Sequence, residues 1–329
     1  MGTIKKYRNV KENNKKIGKS MWKQKQDFFD LAVEARESFI GDGGEISGVV
    51  LEEETIESLN MNITTVEIIN EQGVQAMKKP MGTYITLESP WLLYGTKDSN
   101  QECSQVVSNI LTKLLPLEWK KMLVVGLGNK ELTVDALGPK TMEFLHISPS
   151  DKGEEKKKIC AISPGVMAQT GMETAEIILG IVKETKPDCV IAIDALAARS
   201  VYRLGTTIQM TDTGIEPGSG VGNHRLGINE QTLKVPVIAI GVPTVVAAST
   251  IACDTLDAFV SVLKQEAKTS EIGKTLEQFD PEEKHQLLKS LLPPQITNLF
   301  VAPKDMDDMV HTLSHILSEG INLLEKDTI

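Results

Sequence analysis

Aromatic residues make up only 4% of this 329-residue chain, and cysteine occurs four times, at 103, 160, 189 and 253. No CxxC pair and no Cys/His ligand spacing joins them, which argues against a thiolate metal site; Cys160, Cys189 and Cys253 lie in or beside apolar segments, as reduced core thiols do. No apolar run approaches the roughly 20 residues that cross a bilayer, and the N-terminus is too polar for a secretory signal. The expectation is a cytoplasmic protein with no membrane partner. The dinucleotide fingerprint GxGxxG is missing as well. After GLGN the glycine it requires is Glu131, and the next glycine is Gly138. No GKS or GKT follows this loop to complete a P-loop, and His311 with His315 lacks the glutamate of HExxH.

What is present is enough for a real core: 41% hydrophobic and 24% charged residues, fitting one large domain or one domain with an added lobe. Two acids stand out. Asp135 follows the apolar run Met122 to Val125 and the turn residues Gly126, Gly128 and Asn129, and Asp194 ends the run Val190 to Ile193. Ligands of open parallel α/β sheets bind outside the carboxyl ends of the strands, so both acids are expected at one crevice. Each acid alone also reads as an N-cap of the next helix. Two at equivalent positions, in Gly-rich or Ala-rich segments that let backbones approach, favour chemistry, and the chemistry of a carboxylate pair is hydrolysis.

From residue 121 the pattern alternates. Strands are predicted near 122–126, 158–163, 188–194, 205–211 and 235–241, and helices near 139–147, 172–185, 246–265 and 306–325. This predicts an α/β fold, a three-layer, mainly parallel sheet with helices on both faces. Upstream, ITTVEII and GTYITLES read as strands flanking a polar turn, and a helix is predicted over 101–115. The polar stretch from Lys268 to Pro294 reads as a C-terminal insertion or flap.

Other segments are candidates for the crevice walls. SPGVMAQTGMET, 163–174, is expected to enter a helix, with Gly165 in the turn and N–H groups near Thr170 and Gly171 able to hold an oxygen; an ordinary capped helix start explains it equally well. The loop 212–227 is Gly-rich and carries His224, and it reads either as a cover over an extended peptide or as a surface loop. Residues 1 to 30 carry nine bases and three acids, a charge of +6, which leaves −16 on the rest of a chain whose total is −10. Such a basic leader suits a tail for nucleic acid or membrane, a propeptide on an acidic surface, or a solvated end.

GLGN with VDALGP, PGVMAQTGMET, KPDCVIAIDALAARS, TDTGIEPGSGVGN and VPVIAIGVPTVV, in that order over about residues 120 to 260, resemble the germination proteases of endospore-forming bacteria. The sheet also resembles that of the hydrogenase-maturation endopeptidases. The first resemblance implies an endopeptidase that starts degradation of small acid-soluble spore proteins in the forespore and spore core, made as a zymogen and assembled as a homotetramer, with no direct nucleic-acid partner. It implies propeptide cleavage before a large apolar residue, and the chain offers Asp30-Leu31-Ala32-Val33-Glu34. The expected cut is Asp30–Leu31. Without the resemblance, the same residues read as the start of an amphipathic helix.

The implied organisation is a basic propeptide (1–30), an N-terminal β/α lobe (31–120), a catalytic core (121–267), an insertion (268–300) and a C-terminal helix (301–329). Catalysis is expected from Asp135 and Asp194 as a pair that titrates as a unit, one ionised and one protonated, with no cofactor. Gly126, Gly128, Asn129, Gly165, Thr170, Gly171 and Arg199 are expected to shape the active-site loops or bind substrate. Arg199, Arg203 and Arg225 are the candidates to read a substrate glutamate. The alternatives are a divalent metal at Asp135 and Asp194, as in the maturation endopeptidases, with His224 a weak third ligand, and a non-catalytic module that binds a nucleotide or peptide.

Overall fold

The computed structural model describes residues 30–37, 46–148, 157–217, 226–252, 254, 255, 258, 293, 296 and 299–325. The leader through residue 29, the stretch 218–225 with His224 and Arg225, Cys253, half of the expected 246–265 helix and most of 268–300 fall outside them.

In chain order the elements are α1 (Ala32–Glu37), β1 (Val49–Ile56), β2 (Met61–Ile68), α2 (Glu71–Met77), β3 (Gly82–Glu88), α3 (Trp91–Tyr94), α4 (Lys97–Leu114), β4 (Lys121–Gly126), α5 (Leu137–Phe144), β5 (Lys158–Ile162), α6 (Met167–Thr170), α7 (Thr174–Thr185), β6 (Cys189–Ala198), β7 (Thr207–Thr211), α8 (Glu230–Leu233), β8 (Val237–Ala247), β9 (Phe300–Val301) and α9 (Met306–Leu323). They form an α/β fold on one sheet of order β1-β2-β3-β7-β8-β6-β4-β5, with β9 on β8.

The sheet is mixed, which corrects the mainly parallel expectation. Among the described residues, only β4 with β5, β4 with β6, and β6 with β8 pair in parallel. The pairs β1–β2, β2–β3, β3–β7, β7–β8 and β8–β9 are antiparallel. The connections explain this. A parallel neighbour needs a long crossover, whereas the short links after β1 and after β6 return the chain in the opposite direction.

Alternation along each strand assigns its two faces. Met122 and Val124, Ile191 and Ile193, Ile208 and Met210, and Ile238 and Ile240 face a large cluster with α4, α5 and α9. Leu123 and Val125, Val190 and Ala192, and Val237 face a second cluster with Ala175, Ile178 and Val182 of α7. On this second face the positions that continue toward the carboxyl ends of the parallel strands are small or polar: Asp194, Gln209, Thr211, Ala239 and Gly241. The apolar core stops there and a cavity begins.

Candidate active site

That cavity encloses about 500 Å³, and Asp30, Lys79, Asp135, Asp194, Gln209 and Thr244 are among the residues that line it. Asp135 closes a short 3-10 turn, Thr133–Asp135, after β4. Its Oδ2 accepts a hydrogen bond from the Asn129 backbone N–H at 2.9 Å, and the Thr244 hydroxyl of β8 donates to the Val134 carbonyl at 2.7 Å, fixing the turn over the sheet. Gly128, at φ +109°, passes so close to the Asp135 carbonyl that a side chain there would collide with it. Gly138 is packed as tightly against the backbones of Leu127 and Ile193, and the Leu127 N–H donates to the Ile193 carbonyl at 2.8 Å. The first acid is thereby tied to the strand residue that precedes the second.

Asp194 is buried and lies inside β6, not at its end, which corrects the sequence expectation. β6 runs on to Ala198 because Asp194 and its successors keep pairing with β8, Asp194 opposite Gly241, with a register shift at Leu196/Ala197. One Asp194 oxygen, Oδ1, accepts from the Ala195 N–H at 2.9 Å.

The loop residues divide. Gly165 lines the cavity with Gly128, and Asn129 holds Asp135 through its backbone while its side-chain oxygen accepts from Gln169 Nε2 at 2.8 Å. Thr170 and Gly171 do not line it. They end α6 instead of beginning a helix, and their N–H groups donate to the Val166 and Met167 carbonyls at 3.1 and 2.8 Å, so neither is available to a ligand.

Asp30 lies at the same cavity, and Leu31 turns from it into the interior. The Asp30 carboxylate accepts from the Ala197 N–H at 3.0 Å, just past the register shift in β6, and Asp30 itself lines the cavity. Leu31 and Val33 are buried against Leu196, and Ala32 and Ala35 against Val66, Ile68, Met77 and Tyr84. Glu34 is buried too, and its Oε1 accepts from the backbone N–H groups of Arg199 (2.9 Å) and Ser200 (3.3 Å) and from Arg203 Nη1 (3.2 Å). Burial pushes the Glu34 carboxyl up, opposed first by the Arg199 N–H and then by the Arg203 charge. Burial also works against the charge of Arg203, but its hydrogen bonds to Glu37 and Glu88 outweigh this and push its pKa up. The glutamate is thus met by the guanidinium of Arg203 and the main chain of Arg199 and Ser200.

A family model described as germination protease matches residues 29–278. The chain belongs to the germination protease family. Curated germination proteases from Caldanaerobacter subterraneus subsp. tengcongensis and Clostridium perfringens are 47% and 44% identical, each over 89% of this chain and over 92% and 93% of their own length. A Geobacillus germination protease is 36% identical over 94% of this chain and 95% of its own. Among solved structures, the NiFe hydrogenase maturation protease HycI from Thermococcus kodakarensis KOD1 shares 18% identity at a TM-score of 0.30, covering 42% of this chain and 80% of that one. This germination protease family member is accordingly an endopeptidase of spore germination. No helix among the described residues is long and apolar enough to cross a membrane.

Sequence reading missed three groups at the cavity. Lys79, in KKP ahead of β3, carries no pattern that distinguishes it from a surface lysine. Gln209 does leave a trace, since Thr207, Gln209 and Thr211 alternate with the apolar Ile208 and Met210, a strand with one polar face inside a buried sheet. The Ala197 N–H is backbone and has no signature. As for a metal, no group of three or more His, Cys, Asp or Glu side chains is arranged to hold one among the described residues, and Asp135 and Asp194 bring two carboxylates to the cavity.

Proposed function

We propose that this member of the family is a self-processing zymogen, cut between Asp30 and Leu31, and that its mature form initiates degradation of small acid-soluble spore proteins in the spore core. The observation that carries the reading is the seat of the Asp30–Leu31 bond at the cavity that Asp135 and Asp194 line. In the proposed reaction, the ionised member of the pair takes a proton from water, whose oxygen bonds to the Asp30 carbonyl carbon. The C–N bond then breaks as the protonated member gives its proton to the Leu31 nitrogen, leaving a carboxyl group on Asp30 and an amine on Leu31. No cofactor takes part.

Specificity follows from the same seat. The Ala197 N–H reads an acid before the bond, the pocket of Leu196 and Ile215 takes a large apolar residue after it, and Arg203 with the Arg199 and Ser200 N–H groups reads the glutamate three residues further on. The cut separates the +6 leader from a remainder of the chain that carries −16. We read the architecture as three layers with an N-terminal extension and a C-terminal insertion, assembled as a homotetramer.

Asp135→Asn and Asp194→Asn test the reading, followed by intact mass and N-terminal sequencing with a small acid-soluble spore protein present. Each folded variant is expected to lose both the Asp30–Leu31 cut and substrate cleavage, by about 10²-fold or more, with wild-type cleavage indifferent to chelator. Chelator-sensitive cleavage would move the reading to a divalent metal at the two acids, and undiminished cleavage by both variants would sink it. Sedimentation of the native protein checks the tetramer.

A further inference from the structure

The carbonyl oxygen of Asp30 accepts two side-chain hydrogen bonds, from Lys79 Nζ at 3.0 Å and from Gln209 Nε2 at 3.2 Å. We infer that Lys79 and Gln209 are catalytic residues of this protease, a pair of donors that holds the carbonyl oxygen of the bond to be cut and stabilises the negative charge it gains as water adds. The inference rests on the reading of Asp30–Leu31 as that bond.

Three features favour this over simple tethering of α1. The first is the orientation of Gln209. It projects from β7 onto the polar face, is buried, and its Oε1 accepts from the Ala32 N–H at 2.6 Å while its Nε2 donates to the Asp30 carbonyl. One side-chain amide therefore grips the chain on both sides of the Asp30–Leu31 bond, which fixes the plane of the peptide group.

The second is the setting of Lys79. It reaches this oxygen from the connection between α2 and β3, its ammonium lies 5.6 Å from the centre of the Tyr84 ring, and Asp30, Glu216 and Glu34 are among the carboxylates that act on it. Lys79 is half-buried, and a positive charge held at this oxygen is already in place when the negative charge appears.

The third is that the two donors share the cavity with Asp135 and Asp194. The pair of acids moves protons and supplies no fixed positive charge, so an electrostatic partner for the carbonyl oxygen is the part of a hydrolytic site they leave unfilled. The atoms balance without any further reactant: water adds to the carbonyl carbon, the oxygen held by Lys79 and Gln209 carries the negative charge transiently, and the charge returns to the carbonyl as the Leu31 nitrogen leaves with a proton.

The test uses the full chain and reads the first-order rate of self-cleavage, with the cut located by N-terminal sequencing and folding followed by circular dichroism. Lys79→Met and Gln209→Glu are each expected to slow the Asp30–Leu31 cut by about 10²-fold, the loss typical of one oxyanion donor. Gln209→Glu keeps the acceptor for the Ala32 N–H, so hydrogen exchange of residues 32–37 is expected to stay at the wild-type level while the rate falls, a split that a purely structural role does not produce. Lys79→Arg, which keeps a charged donor, is expected to recover most of the rate. Wild-type rates in Lys79→Met, or a Gln209→Glu loss matched by undocking of α1, would overturn the clamp alone. A wild-type chain that cuts elsewhere or not at all would overturn the reading beneath it, and the clamp with it.

Discussion

Lys79 is half-buried, and its titration is where the cost of partly desolvating its charge is measurable. Burial lowers its pKa from the ordinary 10.5, while Asp30, Glu216 and Glu34 pull it back up. Between the lowered value and 10.5 the unfolded chain binds more protons at this lysine than the folded one. The group therefore costs stability below its folded pKa, and the cost is relieved as pH rises toward the ordinary range. The rate moves the other way, because the charged donor is lost on deprotonation. The alkaline limb of self-cleavage is expected below the ordinary lysine range in the wild type and shifted to higher pH in Lys79→Arg, whose guanidinium stays charged. A pH–rate profile of the two chains checks this, and coincident limbs would rule Lys79 out as the group responsible. Asp135 and Asp194 were legible in sequence because each follows an apolar run long enough to read as a strand. Lys79 was not, since a half-buried lysine at a cavity and a surface lysine have the same letters around them.

Helix α1 is only Ala32–Glu37, too short to persist on its own, so its position is set by what it docks on. Its apolar residues fill two small clusters, and its one buried charge, Glu34, is held by Arg203 at 3.2 Å. Arg203 also binds Glu37 at 2.6 Å and Glu88 of β3 at 2.9 Å, so it joins the helix to the sheet. Removing one partner of a buried pair leaves the other charge uncompensated, at about 3–5 kcal/mol. Arg203→Met is therefore expected to undock α1, with faster amide exchange over residues 32–37 and slower self-cleavage, while exchange in β4 and β6 stays protected. Unchanged exchange over 32–37 would mean that the apolar contacts alone seat the helix. At this scale the sequence pattern located α4, α7, α9 and the central strands to within a few residues. It missed β1 and α2, and the reasons are physical. β1 is an edge strand whose Glu52, Glu53 and Glu54 are exposed, so it lacks the alternation that a half-buried strand shows. α2 holds Gly73 at a close approach to the Gly48 carbonyl and starts at the Asn70 cap, a composition that reads as a turn.

At the scale of the whole molecule, one apolar cluster unites elements from Leu59 to Leu324 and includes both Cys103 of α4 and Cys189 of β6. Both thiols are fully buried, and burial, with the nearby carboxylates of Glu102 and Asp188, pushes them up to about 11 and about 12. Since the thiolate is the reactive form, a thiol reagent at neutral pH is expected to spare both in the native protein and to label Cys160, which is only partly covered. In a Cys253→Ser background, Cys103 and Cys189 are expected to become reactive together, at the denaturant concentration that unfolds the sheet. Separate transitions would show that α4 and β6 do not share one cooperative unit.

The sequence by itself determined what short-range physics encodes: the alternating strands, the helical periods, the two strand-associated acids and, through its motifs, the family. It did not determine strand direction across the sheet, because β7 becomes antiparallel only through the length of the chain that connects it to β6 and its pairing with β8. Nor did it determine that the Asp30 carbonyl meets Lys79 and Gln209, partners 49 and 179 residues away. A hydrogen bond from a distant side chain to a backbone oxygen leaves no periodicity in the letters, and only tertiary packing brings donor and acceptor to 3 Å.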